Sequence, residues 1–202
     1  MCGLLLKDIL NLKQQFRIYA IIILMWVAIG LSNNDPAYIG GLMLMLTVLV
    51  PSSAAGYDEK AKWDRYALTM PISRRDMVVS KYLLAVITAL LGGIISVAAG
   101  FFMPCSVAEN LIVNAVLASL GLIAVSVTLP AVFKYGVEKS RLIMMAVLLI
   151  PLLLGAVISK LNINLPNIEN SEKPLMLLPA AAVAAVLASA AISVKIYNKK
   201  EF

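Results

Sequence analysis

Six apolar runs, each close to the about 20 residues an α-helix needs to cross a bilayer core, constrain this chain more than any other feature. In hydrocarbon no water is available to the backbone N–H and C=O groups, so each run must satisfy them within itself, as a helix does. The expected spans are 16–31, 38–55, 82–103, 111–133, 142–159 and 175–194. The fold class is therefore all-α: a polytopic membrane protein with six transmembrane helices, read as one transmembrane domain over 1–202. The run at 18–31 lacks a small-residue cleavage site and more spans follow it, so it reads as a span and not as a leader.

Composition agrees where it bears on this reading. Hydrophobic residues make up 61% of the chain, against about 45–50% in soluble domains. The net charge is +6. Nucleic-acid binding would require an exposed basic face with stacking aromatics; here the basic residues flank apolar runs, so no nucleic acid is expected as a partner. Histidine is absent, which removes the commonest catalytic base and metal ligand. Cys2 and Cys105 are too few and too far apart for a metal site or disulfide framework. No G-x-x-x-x-G-K-[ST] loop is present. The chain is read as having no enzymatic activity, no cofactor and no metal of its own.

Charge orients the spans. Segments 1–17, 56–81 and 134–141 and the tail from Lys195 hold fifteen of the seventeen basic residues; the other three loops hold only Lys160 and Lys173. Basic residues accumulate in cytoplasmic loops, so both termini are expected inside. The outer loops 32–37 (SNNDPA) and 104–110 (PCSVAEN) are tight, and 161–174 is longer. Pro51, Pro130, Pro151 and Pro179 interrupt the runs. Each removes a backbone donor and marks a packing kink or a hinge, with Pro51 and Pro151 the hinge candidates.

Two cytoplasmic segments carry further information. In 1–17, Leu5, Ile9, Leu12 and Phe16 share a helical face while Lys7, Asn11, Lys13, Gln14 and Arg17 occupy others. That pattern suits a helix lying in the interface against anionic lipid. In 57–82, Trp63, Tyr66, Ala67 and Met70 fall at helical spacing, with Asp58, Glu59, Lys60, Lys62, Asp64 and Arg65 on the remaining faces. Such a short amphipathic helix must bury its apolar face in lipid or in a partner protein. Pro71 ends it, and Ser73-x-x-Asp76 reads as a capping box opening the third span. No span carries an acidic or basic residue away from its ends. Ion-coupled carriers usually need one there, so the energy source is expected in a partner.

The loop resembles that of type-2 ABC exporter permeases. The matching residues are Glu59, Lys60, Trp63, Asp64, Tyr66, Pro71, Ser73, Arg74, Arg75, Asp76, Val78, Lys81 and Tyr82. The likeness extends to small bacterial permeases for amphipathic peptide toxins such as phenol-soluble modulins, or for antimicrobial-peptide immunity. It implies a multi-pass bacterial plasma-membrane protein whose 1–17 is a connecting helix and whose 56–81 loop holds a coupling helix. That helix would dock on a separate cytoplasmic ABC ATPase binding ATP and Mg. Two permeases, identical or paralogous, would join two ATPases. Trp63, Asp64, Arg65 and Tyr66 would make the ATPase contact, with Glu59, Lys60, Pro71, Ser73, Asp76 and Lys81 in the same motif. Arg74 and Arg75 would anchor the loop on the ATPase or on lipid phosphate. The second and fifth spans would line the path; Leu44, Leu46, Val48, Leu148 and Leu152 there would suit an amphipathic or hydrophobic cargo such as a peptide or drug. A membrane anchor that recruits an ATPase without transporting would use the same helix.

Overall fold

A computed structural model describes residues 2–67, 69–70, 72–102, 106–160 and 172–199, without the side chains of 2, 14, 36, 109, 150–160 and 172–176. Pro71, the cysteine at 105 and most of the 161–174 loop lie outside the described residues. Helix α1 spans Cys2–Leu12, and a 3-10 turn at Lys13–Gln15 joins it to α2 (Phe16–Asn33). Then follow α3 (Pro36–Lys60), α4 (Trp63–Ala67), α5 (Arg74–Gly100), α6 (Val107–Tyr135), α7 (Val137–Lys160) and α8 (Glu172–Asn198). Among the described residues there is no strand.

Among the described residues, five helices are long and apolar enough to cross a membrane: α2, α3, α5, α6 and α8. The run expected at 142–159 falls within α7, a 24-residue helix. The long helices extend past the apolar runs at their charged ends: α3 reaches Lys60 and α5 begins at Arg74. Hydropathy marks only the lipid-matched portion of a helix. The backbone ladder continues until a cap or a strained residue stops it.

Helices α3 and α6 form the centre of the bundle, with α5 packed on α3 and α8 on α6. The α3 span is 67% buried and the α2 span 6%, so α2 is a peripheral helix held by one side. One core cluster joins Val48, Val78, Tyr82, Val125, Leu129 and Phe133. A second joins Ile39, Leu42 and Met43 to Tyr19, Ile22 and Trp26 of α2. Lipid tails are as apolar as leucine, so helices here associate by close packing at small residues. Gly40 illustrates this: a Cβ there would collide with Leu117 of α6. Leu24, Leu90, Ile94, Leu142 and Leu187 remain exposed on the outside, where lipid would cover them.

Several buried hydroxyls bond to helix carbonyls or to one another. Thr47 and Ser52, on either side of Pro51, donate to the carbonyls of Met43 and Val48. Pro51 is buried inside an unbroken α3. Tyr82 shares hydrogen bonds with Ser189 (2.6 Å) and Ser193 (2.8 Å) of α8, and Ser189 donates to the Ser126 carbonyl of α6. Three helices are thereby joined through one hydroxyl chain.

The short amphipathic helix is smaller than its spacing predicts. It is the five-residue α4, and Asp58, Glu59 and Lys60 belong instead to the end of α3. Lys62 adopts a left-handed φ of 50° between them, a conformation an L-residue enters only at a cost. After Ala67, the Thr69 hydroxyl bonds to the Tyr66 carbonyl, one of the local side-chain bonds that compete with helix.

Candidate functional site

Lys7 and Asp8 of α1, Asp58 of α3 and Lys81 of α5 meet at one end of the bundle. The Lys81 ammonium lies 2.7 Å from Asp8 Oδ1 and 2.6 Å from Asp58 Oδ2. Lys7 lies 2.6 Å from Asp58 Oδ1 and 3.2 Å from Asp8 Oδ1. Asp8 is 1% exposed and Lys81 4% exposed. Two cations and two anions thus neutralise one another in a site where an unpaired charge would be severely destabilising. The Lys7 ammonium also stands 4.4 Å above the Trp63 ring, a cation–π contact.

This cluster corrects the reading of Lys81. Lys81, read as a loop residue beside the third run, lies well inside α5 and points into the protein. The face of α1 that meets the bundle carries Leu4 and Asp8, both buried, whereas Ile9 and Phe16 are exposed. Of the apolar stripe, Ile9 of α1 and Phe16 at the start of α2 face outward, while Leu5 and Leu12 are half-buried. A lone acid one turn after Leu4 was the available signal for the inner face.

The other expected residues surround the cluster. Glu59 accepts a 2.7 Å hydrogen bond from the Val137 N–H, the first of α7. Lys60 is exposed at the end of α3. Trp63 is half-buried against the core and Ala67 is fully buried, so half of the apolar face of α4 is spent on its own chain. The Trp63 and Tyr66 rings lie 5.5 Å apart, yet Tyr66 is 56% exposed and points outward with Arg65 and Met70. The Tyr197 hydroxyl of α8 donates to Met77 Sδ at 3.7 Å, and the Asp64 carboxylate lies near that hydroxyl. Ser73 caps α5, its hydroxyl accepting from the Asp76 N–H at 3.1 Å. Arg74 donates to the Asn198 carbonyl at 2.8 Å, one of the carbonyls a helix end leaves without a partner. Arg75 is exposed. Pro71 and the side chain of Pro151 lie outside the described residues.

These contacts draw together the four basic segments. Lys7 represents 1–17, Asp58 and Lys81 represent 56–81, Val137 represents 134–141, and Asn198 represents the tail. Sequence reasoning did not single out Lys7, Asp8, Val137 or Tyr197 as partners of the loop. Their pairing depends on helices distant in sequence.

Beside this end, α3 and α7 border an open cavity of about 350 Å³. Leu49, Val132 and Met144 give it apolar walls; Ser52, Ser53, Tyr57, Lys60, Glu138 and Arg141 give it polar ones. A wholly apolar path was expected. Val48 and Leu46 instead pack in the core clusters, Leu148 packs against one of them, and the side chain of Leu152 lies outside the described residues. A cavity of this size and mixed lining suits a ligand with both an apolar body and a polar group.

The family model described as ABC-2 family transporter protein matches residues 3–198. No curated protein matches the chain. The chain belongs to the ABC-2 family of transporter proteins, multi-pass membrane subunits that work with ABC ATPase partners.

Proposed function

We propose that this member of the ABC-2 transporter family is the six-span permease subunit of an ATP-driven exporter in a bacterial plasma membrane, with both termini in the cytoplasm. The observation that carries the reading is the gathering of all four basic segments at one end of the bundle. Helix α7 supplies the sixth span, and α1 lies in the cytoplasmic interface with Ile9 and Phe16 toward lipid. ATP and Mg belong to the partner ATPase. A second permease copy or paralogue completes a two-plus-two assembly.

The turn at 61–70 is the surface that the ATPase moves. Because Trp63 and Ala67 pack on their own chain, the contact falls to Arg65, Tyr66 and Met70, with Trp63 as the anchor beneath them. Arg74 holds the far end of the turn to α8. The cargo is amphipathic or hydrophobic, such as a peptide toxin, an antimicrobial peptide or a drug. The mixed lining of the cavity between α3 and α7 supports the amphipathic member of that pair.

The test is to purify the tagged chain from its native membrane and assay the ATPase activity that accompanies it. Arg65→Glu combined with Tyr66→Ala is expected to lower the co-purifying activity about tenfold, equivalent to about 1.4 kcal/mol of binding. Equal activity with the double variant would refute this docking surface.

A further inference from the structure

Asp58 and Glu59 are consecutive residues in the last turn of α3. Neighbours on a helix point about 100° apart, and these two carboxylates reach different helices. Asp58 holds Lys7 of α1 and Lys81 of α5. Glu59 crosses to α7 and accepts from the Val137 N–H at 2.7 Å. That donor is one of those a helix start leaves unpaired, and a carboxylate there meets the positive end of the helix dipole.

The turn between α6 and α7 is shaped around this carboxylate. Gly136 has φ +82°, and a Cβ on it would stand 2.7 Å from Glu59 Oε1. The left-handed backbone strains any residue but glycine there, and a Cβ would push the Glu59 carboxylate aside. On its other flank Glu59 is bound to the exposed turn by backbone hydrogen bonds. Its carbonyl accepts from Lys62 N–H at 3.1 Å, and the Lys62 carbonyl accepts from Arg65 N–H at 3.2 Å. A displacement of Arg65 therefore reaches Glu59 through bonded backbone, without a flexible linker. Glu59 and Val137 also both line the cavity between α3 and α7.

We infer that Glu59 is a positioning residue that locks the exposed 61–70 turn to the start of α7, so that movement of the turn is delivered to α7 and to the cavity it borders. The inference rests on the transport reading for its purpose, but the lock itself is a property of the chain. Asp58, held on two sides, is the fixed point about which the pair works.

Spin labels at Arg65 and Lys139 of the full chain in lipid nanodiscs read the lock as the width of their distance distribution. Glu59→Ala is expected to widen it about twofold, since free rotation replaces a charge-assisted bond. Val137→Pro is expected to widen it equally. It deletes the donor at a first helical position where proline is tolerated, while narrowing the conformations open to Gly136 before it, and it decides the matter if Glu59→Ala does not fold. Wild-type width in a folded sample of either variant overturns the lock. A second pair, at Leu24 and Lys139, is measured with the co-purified ATPase under ATP and vanadate. Wild type is expected to shift, and Glu59→Ala to lose the shift while hydrolysis continues. A wild type that does not shift refutes the transport reading instead, and leaves the width measurement to judge the lock.

Discussion

At the scale of single residues, the buried quartet is the feature that hydropathy could not reveal. Each member looked ordinary alone: Lys7 and Lys81 as positive-inside charge, Asp58 as part of a solvated face, Asp8 as an unassigned acid. Only the crossing of α1, α3 and α5 makes them one neutral cluster. Removing one charge should be worse than removing a pair. Lys81→Met leaves two carboxylates facing Lys7 alone, and it is expected to destabilise the fold by about 3–5 kcal/mol. Adding Asp8→Asn leaves the Lys7–Asp58 pair balanced and should restore most of that loss. Unfolding in mixed detergent micelles measures both; a double variant as weak as the single one would show that charge balance is not what the cluster provides.

At the scale of elements, the existence of the helices was legible, and their ends only where a local cap marks them. Apolar length located the runs, and Ser73-x-x-Asp76 marked the start of α5 correctly because a cap is a local device. Ser73→Ala should accordingly cost about 1 kcal/mol, read in the same unfolding assay. The short α4 was overestimated because spacing counts residues that could lie on a helix, whereas Lys62 and the Thr69 hydroxyl interrupt the ladder on both sides. The packing of α3 on α6 rests on small residues that carry no hydropathy signal. Gly40→Leu should separate the two helices by driving a side chain into Leu117, with a loss of about 1–3 kcal/mol or failure to fold. A change in stability below that range would mean the helices have room to adjust.

For the whole molecule, the uneven charge distribution and the contacts of the structure point to the same end. Segments 1–17, 56–81 and 134–141 and the tail were grouped by charge alone, and the contacts at Lys7, Glu59, Lys81 and Arg74 join them physically. Which loop residues face outward was not readable from the sequence, because Trp63 and Tyr66 share a helical face yet only Trp63 packs inward. Tyr66, on the exposed turn beside α1 and α8, is the position at which we propose that an ATPase pushes. A photo-crosslinking amino acid at position 66, activated in living cells, tests this most directly. Leu90, 64% exposed on the outer face of α5, serves as the control position. The prediction is an adduct between position 66 and an ATP-binding cytoplasmic subunit, with none from position 90. An adduct only with lipid at position 66, or equal capture of the ATPase from both positions, would contradict it.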